Sequence, residues 1–117
     1  MKIKNGNNAI YNIKIKFTNY LIKMGYRQYT PSGAPSTVYQ YINAIEQIVI
    51  PTELMISWQD VADNINRLVK EYDVYGAKGT IGAYGHNTVI CALKRFKEFC
   101  DYLKLTSPLG SGWPHRM

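Results

Sequence analysis

Apolar residues return along most of this 117-residue chain at steps of three and four, the spacing that gathers side chains on one face of an α-helix. Four stretches carry the pattern. The first runs from about Ala9 to Met24, with Ile10, Ile13, Phe17, Tyr20, Leu21 and Met24 as its buried stripe and Gly25 as a stop. Ile13, Ile15 and Phe17 also alternate, which permits a strand over Asn12–Phe17, but the length and the continued spacing favour helix. The second opens at Ser36, a natural N-cap, and continues to Val49. Val38, Ile42, Ile45 and Val49 form its core stripe, flanked by Tyr41 and Ile48, and Pro51 ends it. The third opens at Ser57, with Asp60 where a carboxylate favours the positive helix end. Trp58, Val61, Ala62, Ile65, Leu68, Val69 and Tyr72 give it a stripe wide enough for the most buried helix. The fourth, ending near Leu105, is the most clearly amphipathic. At 100° per residue, its Val89, Leu93, Phe96, Cys100 and Leu103 fall within a sector of about 80°. The pattern predicts an all-α fold of four helices, with no convincing strand and no internal repeat.

The segments between are polar or punctuated by turn residues. Residues 1–8 read as a basic arm or short extended lead-in, residues 26–35 as a loop rich in Pro, Gly and Ser, and residues 106–117 as a tail docked through Leu109 and Trp113. Gly76, Gly79, Gly82 and Gly85 recur every third residue, without the prolines of collagen and without the Gly-Lys-Ser/Thr ending of a phosphate-binding loop. Two readings stand for this loop. It is a flexible linker, or its backbone N–H groups and Lys78 approach a phosphate together with the start of the helix that follows. One helical domain covers the chain, its core spanning about residues 9–105.

Charge then narrows the class of partner. The net charge is +6 and the pI about 9.3. Residues 1–35 carry +6, residues 36–80 carry −3 and residues 81–117 carry +3. A basic first third and a basic last third make one surface if the fold brings them together, and double-stranded DNA is then the expected partner. Cys91 and Cys100 fall on opposite sides of the fourth helix and are expected to be free thiols, consistent with a cytoplasmic setting. No apolar run reaches the ~20 residues of a membrane span, and the start of the chain lacks the apolar core of a signal peptide.

Candidate chemistry is sparse. The two histidines, His86 and His115, belong to no cluster with metal-ligand spacing, so neither a metal nor another cofactor is expected, and no small-molecule substrate is evident. Cys91 with His86 is the one arrangement suggestive of a nucleophile and base; the expectation is nonetheless a protein that is not an enzyme. More informative is the outward face of the second helix, where Gln40, Asn43 and Gln47 follow one another with no charge among them. Side-chain amides pair with adenine edges in the major groove. Tyr20, Tyr41 and Tyr72 sit on buried stripes, whereas Tyr26, Tyr29, Tyr39, Tyr75 and Tyr84 fall in loops or on outward edges. Such phenols suit phosphate contacts and protein–protein surfaces alike.

Taken in order, FTNYLIKMG (17–25), STVYQYINAIEQI (36–48), SWQDVADNINRLV (57–69) and HNTVICALKRFKEFCDYL (86–103) resemble the N-terminal core-binding domain of tyrosine recombinases, the phage integrases. The resemblance covers about residues 9–105 and implies a four-helix, SAM-like module that forms half of a clamp around duplex DNA. Its second and fourth helices would approach the groove and backbone. That implicates Thr37, Gln40, Asn43 and Gln47 on the second helix and His86, Asn87, Thr88, Cys91, Lys94 and Arg95 on the fourth. The family's catalytic domain, with its arginines and nucleophilic tyrosine, has no counterpart in this sequence. The resemblance therefore implies either a fragment of a recombinase or a free-standing relative that binds DNA without cutting it. The alternative is a small phage or mobile-element protein that binds and inhibits or regulates a host protein such as a nuclease. The DNA reading depends on the second and fourth helices lying side by side.

Overall fold

The computed structural model describes residues 3–106, with side chains placed from residue 13 to residue 104. Apart from one isolated bridge between Tyr29 and Pro35, every regular element among them is helical. The elements are α1 (Ile3–Lys23), α2 (Thr37–Ala44), a π-helical turn (Ile45–Val49), α3 (Ile50–Thr52), α4 (Trp58–Asp63), α5 (Ile65–Tyr72), α6 (Gly79–Gly82) and α7 (Tyr84–Thr106). Helix occupies each of the four stretches where it was predicted, and the fold of the described residues is all-α. Their boundaries differ from expectation in ways that backbone hydrogen bonding explains.

The first helix begins at Ile3, so residues 3–8 are its opening turns rather than an extended arm. It stops where expected. Gly25 takes φ +98°, and the N–H groups of Gly25 and Tyr26 turn back to the carbonyls of Ile22 and Leu21, each at 3.0 Å. Met24 is carried past the core by this turn and is 57% exposed, not buried.

The second helix runs past Pro51, which was expected to end it. Through the π-helical turn the Ile50 N–H donates to the Ile45 carbonyl, five residues back. The ladder is thus already out of α-register where the Pro51 ring would meet the carbonyl four residues earlier, and where its missing N–H would be felt. The chain closes instead at Leu54. Its N–H donates to the Pro51 carbonyl (3.1 Å), the Met55 N–H donates to Ile50 (2.9 Å), and Leu54 itself adopts φ +57°. Ser36 holds the N-cap position, but its hydroxyl makes no capping bond. The Arg27 carbonyl accepts the Val38 N–H (3.0 Å) in its place.

The third predicted helix is two. Asn64, at φ −116° and ψ 14°, interrupts it, and its Nδ2 donates to the Asp60 carbonyl at 2.8 Å. At the start of α4 the Asp60 carboxylate accepts the N–H groups of Ile56 (2.9 Å) and Ser57 (3.2 Å), as the sequence predicts. The glycine loop is not a slack linker. A Cβ on Gly82 would collide with the Tyr72 carbonyl, and one on Gly76 with the carbonyls of Lys70 and Glu71. These glycines let the chain from 76 to 82 lie directly on the end of α5.

The core gathers Phe17 and Leu21 of α1, Val38, Ile42 and Ala44 of α2, Trp58 and Val61 of α4, Leu68 and Tyr72 of α5, and Val89, Leu93, Phe96 and Phe99 of α7. Ile90, Ala92 and Phe99 are buried beyond the stripe read from the sequence, because α7 is covered on more than one side. Of the tyrosines expected inside, Tyr72 is fully buried, whereas Tyr20 and Tyr41 are half-buried. Among the described residues none of the wholly buried ones is charged or carries an amide or aliphatic hydroxyl, and no helix is long and apolar enough to cross a membrane. Leu109 and Trp113, expected to dock the tail, lie outside the described residues.

Two substitutions test this account of the backbone. Gly82→Ala is expected to destabilise by ~3 kcal/mol, the upper end of overpacking costs, since its new methyl meets main chain that cannot swing aside. Leu54→Gly relieves a left-handed leucine and is expected to stabilise by about 0.5–1 kcal/mol despite the added freedom of the unfolded chain. Urea unfolding of both variants reads the two signs directly.

Candidate nucleic-acid interface

The second and last predicted helices do meet. Tyr41 of α2 packs its ring on Tyr26 at 5.7 Å, and the same phenol lies close enough to Cys91 and Arg95 of α7 to be influenced by both. Farther along, Ile48 of the π-helical turn shares a surface depression with Tyr84 at the start of α7. Both α2 and the π-helical turn pack against α7. Ala44, between Tyr41 and Ile48, is buried at 5% exposure, and a small side chain there permits close approach.

This arrangement fixes where the predicted residues fall. Gln40 lies about 40° around α2 from Ala44, on its outward side. Gln40, Asn43 and Gln47 are all exposed, while Thr37 is half-buried at the loop-covered start of the helix. On α7, Asn87 and His86 are exposed and Thr88, Cys91, Lys94 and Arg95 are half-buried. The amide row is exposed on α2, whereas Asn87, Cys91 and Lys94 of α7 border the end of α5 and the glycine loop.

The start of α7 has an unusual backbone. Gly85, His86 and Asn87 take φ values of +67°, +60° and +69°, three successive left-handed residues. Right-handed helix resumes only after them. Histidine and asparagine are among the residues that tolerate this conformation. The Thr88 hydroxyl donates to the Gly85 carbonyl and the Asn87 N–H to the Ala83 carbonyl, which together hold the turn. His86 and Asn87 thus project from a constrained loop rather than from a regular helix.

The cations of the predicted site are engaged by acids, one a neighbour on the same helix and one brought from α5's end by the fold. Lys94 lies 3.7 Å from Asp73, both about half exposed. Arg95 donates to Glu98 (2.8 Å) and to the Tyr26 hydroxyl (3.4 Å), and its Nε is buried with no acceptor. Asp73, Asn87, Cys91 and Lys94 line a cleft of about 290 Å³ between α7 and the end of α5. Cys91 and Cys100 are both free, and burial pushes the Cys100 thiol up to about 12.

Lys78 is placed differently from its neighbours in the prediction. Its ammonium turns inward to Glu53 (2.6 Å) and Glu71 (3.2 Å), and it stands apart from the α2–α7 surface. Glu53 is the hub: its side chain is 7% exposed and also accepts the Tyr72 hydroxyl (2.8 Å) and Arg67 (3.3 Å). Burial alone would raise the Glu53 carboxyl, but the hydrogen bonds from Lys78, Tyr72 and Arg67 outweigh it and hold the group below its usual range. Glu53 is 25 residues from Lys78 in the chain, and no local pattern announces the pair. The network clamps the glycine loop against α5, in keeping with the close approach at Gly76 and Gly82.

Among the described residues no group of three or more His, Cys, Asp or Glu side chains is arranged to hold a metal ion. The chain matches no family model, no curated protein and no solved structure.

The clamp has a pH signature. Because the folded Glu53 carboxyl titrates below its unfolded value, its contribution is present above about pH 4.5 and is lost as the pH falls through the folded value. Glu53→Gln is expected to cost about 1–3 kcal/mol at neutral pH, with the gap to the parent closing below about pH 4. Unfolding of the two proteins in urea across that range measures both.

Proposed function

We propose that this chain is a non-catalytic DNA-binding module of the kind its sequence resembles, the core-binding domain of tyrosine recombinases. It holds duplex DNA against the outward faces of α2 and α7. The observation that supports this reading is that α2 and α7 pack against one another, each with polar residues at its surface. Uncharged amides on one helix and exchangeable cations on the other suit the division between base-edge contacts and phosphate contacts. The existing ion pairs do not oppose it. An exposed pair such as Lys94–Asp73 contributes only ~0–1 kcal/mol, so a phosphate replaces the carboxylate at little cost. Asn87 and His86, held out on their left-handed turn, lie where a backbone or groove edge would pass.

A second reading, regulation of a host protein such as a nuclease, is favoured by a separate feature. Leu54 and Ile56 are each 89% exposed, Val74 72% and Tyr75 97%, on the loops that follow α3 and α5. Leucine in a left-handed cap position, where glycine is easier, is a local cost that an intermolecular contact at Leu54 would explain.

Salt dependence separates the two. If about five cations meet phosphates, the logarithm of the duplex association constant falls against the logarithm of salt with a slope of about −4.5. The double substitution Lys94→Ala and Arg95→Ala is expected to flatten that slope by about 1.8. Mobility-shift titrations that find no duplex binding at ~50 mM salt would remove the DNA reading and leave the apolar loops as the principal surface.

A further inference from the structure

The amide row of α2 carries no charge, and the predicted cations of α7 already hold acids, Lys94 with Asp73 and Arg95 with Glu98. A polyanion laid on this face draws on a cation from elsewhere. The fold supplies one at the start of α2.

Residues 26–35, expected as a loop, form a hairpin-like finger laid on the first turn of that helix. Tyr29 bridges to Pro35, the Thr30 N–H donates to the Ala34 carbonyl (2.8 Å), and the Gly33 N–H donates to the Thr30 carbonyl (2.9 Å). The N–H groups of Ser36 and Val38 donate to the carbonyls of Gln28 (2.8 Å) and Arg27 (3.0 Å), which ties the finger to the helix. Side chains fasten it further. The Tyr29 ring lies 5.5 Å from that of Tyr39, and the Tyr39 hydroxyl donates to Gln28 Oε1 at 3.4 Å.

Arg27 stands at the base of the finger and is exposed. Unlike Arg67, Lys78, Lys94 and Arg95, it has no ion-pair partner among the described residues. No acid precedes Glu46 in the chain, and Glu46 is taken by Lys14 (2.9 Å) and the Trp58 indole (2.9 Å). Tyr39, against which the finger packs, falls with Gln40, Asn43 and Gln47 in a sector of about 100° around α2. The finger and the amide row therefore share one side of the helix. From Gln40 to Gln47 the row covers about 10 Å along the axis, close to the ~12 Å width of the major groove.

We propose that Arg27, presented by this finger, grips the phosphate backbone bordering the groove that receives the amide row. The contact rests on the duplex reading above and names the cation that accompanies the uncharged face. A guanidinium fork matches two phosphate oxygens at once. It positions the helix without reading sequence, whereas Gln40, Asn43 and Gln47 meet base edges.

Anisotropy titrations of the full chain with two fluorescent duplexes of equal length and unrelated sequence, over a range of salt, test it. Arg27→Ala is expected to weaken both duplexes by the same factor and to flatten the log–log salt slope by about 0.9. The parent's advantage then shrinks about threefold between ~50 and ~200 mM salt. Arg27→Lys, which keeps the charge, is expected to restore the slope. Lys70→Ala, which removes an exposed cation of α5, is expected to leave it unchanged. A parent that binds duplex while Arg27→Ala keeps its slope and affinity overturns the finger contact and leaves the duplex reading standing. Equal flattening by Lys70→Ala overturns it as well, by reducing Arg27 to general charge. A parent that binds neither duplex removes both.

Discussion

Phe17 is the residue on which the helices converge. Its ring meets Phe96 at 5.0 Å, Phe99 at 5.4 Å and Trp58 at 6.0 Å, and so joins α1, α4 and α7 through one side chain with no exposure to solvent. Edge-on and tilted ring pairs of this kind add attraction to the area they bury and fix relative orientation as well as distance. A polar tie runs beside the cluster. Glu46, in the π-helical turn, accepts the Trp58 indole N–H at 2.9 Å and pairs with Lys14 of α1 at 2.9 Å. The widened turn thus brings α2 into the same junction. The placement of α7 against α2, and with it the candidate surface, follows from this cluster.

Much of this was legible in the sequence because burial imposes periodicity. The stripes on the second, third and fourth predicted helices identified Val38, Ile42, Ile45, Trp58, Val61, Leu68, Val89, Leu93 and Phe96, all of them buried. What periodicity could not convey is local backbone accounting. Pro51 is a helix breaker only if the ladder before it is α-helical, and the π-helical turn removes that condition. Asn64 breaks a helix whose apolar pattern continues across it unchanged. The glycine repeat read equally well as slack chain or as close packing, and only the position of the Tyr72 carbonyl distinguishes the two.

The candidate surface divides along the same line. Residue types and helix phase were enough to place Gln40, Asn43 and Gln47 outward, and all three are exposed; His86 and Asn87 are exposed too, but on a left-handed turn that helix phase does not describe. The state of the cations was not legible, since Glu53 and Asp73 reach Lys78 and Lys94 through tertiary structure alone. Lys78, read as a phosphate contact, is a strut of the glycine loop. A net charge of +6 therefore overstates the free positive surface.

The claim on which the functional account turns is that the outward face of α2 and α7 receives duplex DNA. Amide chemical-shift mapping during titration with a short duplex at ~50 mM salt tests it most directly. The account predicts shifts concentrated at Gln40, Gln47, Asn87, Thr88 and Cys91, with Leu54, Ile56, Val74 and Tyr75 unmoved. Shifts confined to those four apolar positions, or none at saturating duplex, would contradict it.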